Sequence, residues 1–486
     1  MAILVPLSAS NIRRLIALPL LGLLGACATQ RAVPEEPRVA VPVQWALSDP
    51  APVTTDLTEY WTLLDDPLLT EFVEQAILAN RDLAASAARI DIARASLRQA
   101  RAGYLPTVSG TGGVSRDVGD GSRDGVQFSA GADVSWEADL FGQISGNVTA
   151  SQADLAASGY SLADLQRLIV GQVALTTINA RSLAEQLAIA RDTLAYQDDN
   201  LQIARWRNQA GLVSSLDVEQ ARTQRAQTAA TIPLLESNLA ASANAISTLI
   251  GEAPGPVYDA LEQTAYEGVP QPQLLTGWAP PAEVLRRRPD VRLAEADLYA
   301  STARIGIARA QLLPLVRLTG SIGTGSANLG DIFDIITGNL FAGVSQLIFD
   351  GGRAAAQVDS AEAAARLSLA QWEQSILVAL EEVETAAVDQ RSADERVAIN
   401  DEVIDAAETS ALLARSQYQA GLSDFQTLLN VENQLLSARN QLVTAEADRA
   451  SAFVRLTQAL GGGWVPGDYD YVLPVMAQGD EDRTSE

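Results

Sequence analysis

The chain has 486 residues, 60 of them acidic against 34 basic, for a formal net charge of −26; 47% are hydrophobic but only 5% aromatic. Every basic residue is Arg, there is no His, and Cys27 is the single Cys. These absences remove the imidazole base, His-ligated zinc, the Lys Schiff base and the phosphate-binding Lys of a P-loop. The acidic balance argues against nucleic acid, whose phosphates need a basic surface. No set of polar residues stands out as convergent, so no enzyme, cofactor or metal site is expected. Apolar content drawn mostly from Ala, Leu, Val and Ile suits long packed helices, and the length would allow roughly three ordinary domains.

Residues 1–26 carry Arg13-Arg14 ahead of an apolar run from Leu15 to Leu24. That run is too short to span a bilayer and reads as a secretory signal peptide. It ends Leu24-Gly25-Ala26-Cys27, which resembles the bacterial lipobox, whose Cys is acylated and becomes the first mature residue. The bland alternative is an ordinary signal followed by a chance Cys. Each buried CH₂ contributes about 0.8 kcal/mol, so several acyl chains make a stable anchor in outer-membrane lipid. Ala28, in place of Asp, points to the outer membrane by resemblance to lipoprotein sorting rules. Residues 27–56 are Pro-rich and read as the linker leading away from that anchor.

Residues 57–251 form a first repeat, beginning with a helix. Two strands follow, at about 104–118 and 125–140. In the second, Val126, Phe128, Ala130, Ala132, Val134, Trp136 and Ala138 fall on one face, with Gln127, Ser129, Asp133, Ser135 and Glu137 on the other. Alternation of this length marks a strand with one apolar and one polar side. From Phe141 to about Arg207 there is no Pro, and Leu187, Leu194 and Leu201 stand seven apart. Such rows are coiled-coil signals, and a helix of some 65 residues would be about 100 Å long. The helical hairpin turns at a tip near 208–215, where Gly211 suits a C-cap and Ser214-Ser215 an N-cap.

Residues 252–281 are rich in Pro and Gly and read as a connector. The second repeat, 282–463, follows the same plan: a helix, strands at about 312–325 and 340–350, and a hairpin with its tip at 418–425. Pro106 answers Pro314 and Asp82 answers Asp290, both 208 positions on, whereas Gly211 answers Gly421 and Gly251 answers Gly461 at 210. Landmarks recurring in one order indicate a duplicated domain. At the second tip, Ser423 followed by Gln426 reads as the capping pair. The last helix carries the row Val431, Ala438, Ala445, Ala452, Ala459. The strand at 340–350 alternates poorly. Residues 464–486 form an acidic tail.

All four strands are long enough to cross a membrane, which takes about 9–11 residues. A soluble hairpin pair covered by helices is the other use of such alternation. Four strands cannot close a barrel, and an open sheet would leave unpaired edges in lipid. Spanning strands therefore require several chains, eight strands from two copies or twelve from three, and the residues alone do not choose.

Arg286-Arg287-Arg288-Pro289-Asp290-Val291, Leu313-Pro314, Phe349-Asp350-Gly351-Gly352-Arg353, both Ala-Gly-Leu turns and the stretch from Trp136 to Phe141-Gly142 occur in this order. With the lipobox and the duplication, they resemble the TolC-like outer membrane factors, in the lipidated branch of tripartite efflux systems of the RND type. The resemblance implies an α+β membrane protein: a homotrimer whose twelve strands form one β-barrel, continued by an α-helical coiled-coil tunnel into the periplasm. It implies passive conduction of substrates from a periplasmic adaptor (membrane fusion) protein and an inner-membrane pump. The adaptor-contacting tips would comprise Arg207, Gly211, Leu212, Gly421, Leu422 and Ser423. Arg207 stands four residues before the first tip Gly, where the second tip has Gln417. The gate would lie at Leu429 and Asn430, relatives often having Asp at the latter; Asp424 and Glu432 are the nearby carboxylates able to substitute. The rival classes are a lipid-anchored adaptor, which carries one hairpin rather than two, a coiled-coil structural lipoprotein, and a periplasmic enzyme.

Overall fold

The structure, a computed structural model, describes residues 39–46, 56–116, 125–264, 268–273 and 277–464. The signal peptide, Cys27, most of the linker, residues 117–124 and the tail from 465 lie outside these. A short 3₁₀ turn, Tyr60–Leu64, leads into α1 (Pro67–Ala79) and α2 (Arg81–Ala102). Then come β1 (Thr107–Arg116), β2 (Val126–Ala138), α3 (Gln143–Gln209) and α4 (Ser215–Ile250). The short α5 (Pro256–Gln263) and α6 (Pro281–Arg287) precede α7 (Pro289–Ala310). The second half closes with β3 (Leu315–Ser326), β4 (Ile336–Ser345), α8 (Arg353–Gln419) and α9 (Phe425–Ala459).

The duplication is visible element by element. α2 and α7 are both 22 residues, and α3 and α8 are both 67. At 1.5 Å per residue each long helix runs about 100 Å. β1 and β3 start 208 positions apart and β2 and β4 start 210 apart, so the two extra residues of the second half lie in its first strand: β3 has 12 residues against 10 in β1. A carboxylate seats the start of each long helix: Asp139 accepts from Ile144 and Ser145 N–H, and Asp350 accepts from Gly352, Arg353 and Ala354 N–H. Three backbone donors hold the Asp350 carboxyl below its ordinary range, Ala354 contributing most.

The four strands form one antiparallel sheet in the order β1-β2-β3-β4. Register sorts them into two faces. Val134, Gly320 and Leu340 share the apolar side; Asp133, Ser321 and Asn339 share the polar side. β4 lies about four residues earlier than the alternation near 340–350 suggested. Phe341, sitting on the polar side, disturbs the pattern that locates a strand. Past Ser345 the side chain of Gln346 turns back, its Nε2 donating to the Leu312 carbonyl at 2.9 Å. Trp136 Nε1 makes the corresponding 2.9 Å bond to the Tyr104 carbonyl in the first half.

Helices pack where the small-residue rows fall. Ala438, Ala445, Ala452 and Ala459 are all buried, and α9 lies against α8 and α3. The main core joins Tyr60, Trp61, α1, the middle of α3 and the ends of α4 and α9. Two buried arginines tie its periphery. Arg181 bonds Asp66 at 2.9 and 3.0 Å and the Thr264 carbonyl at 2.7 Å, while Asp66 also caps α1. Arg288 bonds Asp290 at 3.0 and 2.6 Å, Glu382 at 2.5 Å and the Ala459 carbonyl at 3.1 Å. Val39, Val41 and Trp45 pack on the second repeat, and no described helix is long and apolar enough to cross a membrane.

Candidate functional site: hairpin tips and the polar face of the sheet

Both hairpins turn in the same way. Gly211 and Gly421 have φ of +74° and +73°, a left-handed conformation that L side chains rarely adopt. Gly211 N–H reaches the Asn208 carbonyl and Leu212 N–H the Arg207 carbonyl, both 2.9 Å; Gly421 and Leu422 repeat this with Tyr418 and Gln417. These reversed bonds satisfy carbonyls that a helix end leaves open. Leu212 and Leu422 are thrown outward, 73% and 81% exposed.

The returning helices start differently. Ser214 and Asp217 form a reciprocal capping box. At the second tip Asp424, not Ser423, is the N-cap, accepting from Thr427 N–H at 2.7 Å. That bond lowers the Asp424 carboxyl pKa. Gln426 is no capping partner; its Nε2 donates to Asn430 Oδ1 at 3.0 Å.

The Asp424 cap sets the phase of α9. Phe425, Leu428 and Leu429 turn inward onto Leu201, Ala204, Ala221, Ala414 and Tyr418, whereas Gln426 and Asn430 face solvent. The expected gate pair is thus split: Leu429 is 7% exposed within the tip's own core, and Asn430 alone presents its side chain. Neither nearby carboxylate stands free, since Asp424 caps a helix and Glu432 is paired. Arg415 Nε donates to Glu432 at 3.2 Å, and Asn200 Nδ2 donates to it at 3.2 and 3.0 Å. This network joins α3, α8 and α9.

Arg207 is turned inward too. Its guanidinium lies 4.6 Å from the centre of the Tyr418 ring, which packs at 5.5 Å on Phe425. Such a contact contributes about 0.5–1 kcal/mol where exposed and more where dry. Tyr418, Phe425, Arg415 and Asn200 carry no motif in the chain; their one local signal is an aromatic on each side of the second Gly turn. Cys27 lies outside the described residues.

The sheet supplies the second functional surface. Its polar side carries Thr107, Ser109, Asp133, Glu137, Arg317, Thr319, Ser321 and Asn339, and Glu137 forms an ion pair with Arg317. Charged groups of this kind belong against water, and the opposite face of Val, Leu, Ile and Trp against lipid.

The profile of the family described as "Outer membrane efflux protein" matches residues 72–252 and 281–462. Nodulation protein T of Rhizobium leguminosarum bv. trifolii is 31% identical over 443 residues, covering 90% of this chain and 94% of its own. The pyoverdine export outer membrane protein OpmQ of Pseudomonas aeruginosa is 31% identical over 457 residues, covering 91% and 95%. The solved structure of the outer-membrane channel OprN is 30% identical, with a TM-score of 0.79 over 89% of this chain and 99% of that one. The paired strands, the long helical hairpins and these likenesses agree, and the chain belongs to the outer membrane efflux protein family as a TolC-like channel component.

Proposed function

We propose that three copies assemble, the free edge of β4 in each pairing with the free edge of β1 in the next, to close a twelve-stranded barrel. The observation that carries this is a sheet with one lipid-compatible face and two unpaired edges. In hydrocarbon every open backbone group costs several kcal/mol, so edges must be joined. Three is the number that the family resemblance implies. The long hairpins continue the barrel as a tunnel into the periplasm, and solutes pass through it without catalysis. Cys27 carries the lipid that anchors the mature chain.

At the far end, Leu212 and Leu422 offer apolar surface to a periplasmic adaptor, which couples the channel to an inner-membrane pump. Gly211, Gly421 and Ser423 shape these tips, and Arg207 positions them by clasping Tyr418. The gate lies at the level of Asn430, with Leu429 behind it as packing that holds the inner helix in place. Detergent-extracted protein is expected to run as a trimer and to give discrete conductance steps in planar bilayers. A water-soluble monomer after removal of the lipid would sink the reading.

A further inference from the structure

On the polar side of the sheet one residue is out of character. Phe341 pairs across the strands with Thr319, which pairs with Ser135, which pairs with Thr107. Every other member of that row is a small hydroxyl residue. Apart from Leu315 at the foot of β3, Phe341 is the one large apolar side chain on this face among the described strands. It remains 61% exposed.

Its ring does not reach over the open edge of β4. It folds along its own strand and covers Gly343, where a Cβ would overlap ring atoms Cε1 and Cζ. Gly343 is therefore the residue that leaves room for the ring beside its own strand, where most of it stays exposed on the polar side. The charged groups nearest in the pattern, Arg317 and Glu137, sit in the next row and pair with each other.

We propose that Phe341 is a solute-contacting residue of the channel: three rings, one per copy, form an aromatic station on the barrel wall for solutes with an aromatic part. This rests on the trimeric-channel reading. An aromatic face binds planar rings and organic cations by stacking and by its quadrupole. Small hydroxyl residues elsewhere in the row offer neither.

The test compares two monovalent organic cations, tetraphenylphosphonium and tetrabutylammonium, added from the barrel side of the channel in planar bilayers. Asp133, Glu137 and Arg317 act on both alike, so a difference in dwell time reports aromatic contact. Phe341→Ser is expected to shorten the tetraphenylphosphonium dwell roughly two- to five-fold, and the tetrabutylammonium dwell, which has no rings to stack, by a smaller factor. Phe341→Trp is expected to keep or lengthen it. Equal dwell times in all three proteins overturn the proposal while leaving the channel intact. So does a Phe341→Ser trimer that dissociates at lower temperature with unchanged dwell, which would make the ring a seal between copies. Absence of conductance steps in the unmodified protein would overturn the channel reading and this proposal together.

Discussion

Single residues here are constrained by backbone shape and by burial of charge. Gly251 has a φ of +74°, and a Cβ there would meet the Ala79 carbonyl oxygen at 2.6 Å; Gly211 has the same φ with nothing nearby. Left-handed backbone costs an L residue about 1–2 kcal/mol, so Gly211→Ala should lower stability by about that and Gly251→Ala by clearly more. Thermal midpoints of the two variants check this, and equal losses would show that the Ala79 contact is immaterial. Arg288 is fully buried. Asp290 and Glu382 keep 24% and 47% side-chain exposure, so Arg288→Ala leaves no fully buried carboxylate and should cost less than the about 3–5 kcal/mol of breaking a buried pair. Asp290 adds a pH signature. Burial raises its pKa most, but the bonds and charge of Arg288, with the Arg167 charge and the Val291 N–H, together leave it lowered. A depressed carboxyl contributes stability above its unfolded pKa of about 3.9, lost as pH falls through the native value. The unmodified protein should therefore weaken in acid, and Arg288→Ala, which removes the largest lowering influences while Arg167 and the Val291 N–H remain, should weaken less.

At the scale of elements, the hairpins are specified by their ends. A Gly in left-handed backbone stops α3 and α8, a carboxylate seats each of their starts, and a side-chain cap begins α4 and α9. Ser214→Ala removes half of the capping box, and losing such a cap costs about 1 kcal/mol. Amide exchange around 211–218 should quicken while the body of α4 stays protected; uniform protection would show that the tip is held by packing alone. Along the shafts, acidic groups work against the fold. Burial raises the Glu446 pKa most, with the Glu185 carboxylate next. A carboxyl raised on folding costs stability as pH rises through its native pKa. Glu446→Gln should therefore raise the thermal midpoint at neutral pH and leave it little changed in acid. Much of this level is legible in the chain, because helix length, Gly turns and the duplicated plan are local patterns. Alternation alone places β4 several residues late, whereas the 210-residue offset carries Val126 to Ile336, where β4 begins. Alternation misled because Phe341 occupies the polar side.

For the whole molecule, the two hairpins are joined near their tips by an apolar cluster, the Arg207–Tyr418 stack and the bonds to Glu432. Glu432 receives Asn200 from α3 and Arg415 from α8. Glu432→Ala removes the Asn200 bond between the hairpins and should raise the open fraction of the channel in planar bilayers, without changing trimer mass. An unchanged open fraction would move the restraint to the Arg207–Tyr418 stack. Leu429→Ala should loosen the same core rather than widen a ring of leucines, since its side chain is packed within the copy. Unchanged conductance would remove Leu429 from the gate altogether.

Local order and membership were readable from residues alone: alternation, seven-residue rows, Gly turns and a repeated plan depend on neighbours in the chain. The tertiary structure decided what depends on distant partners. It turned Leu429 inward and left Asn430 outward, because the phase of α9 follows from the Asp424 cap and from packing on Leu201 and Tyr418. It occupied Glu432 with groups 17 and 232 positions away. It placed Phe341 on the polar side, since side-chain direction in a sheet follows register and register is set by the strand alongside.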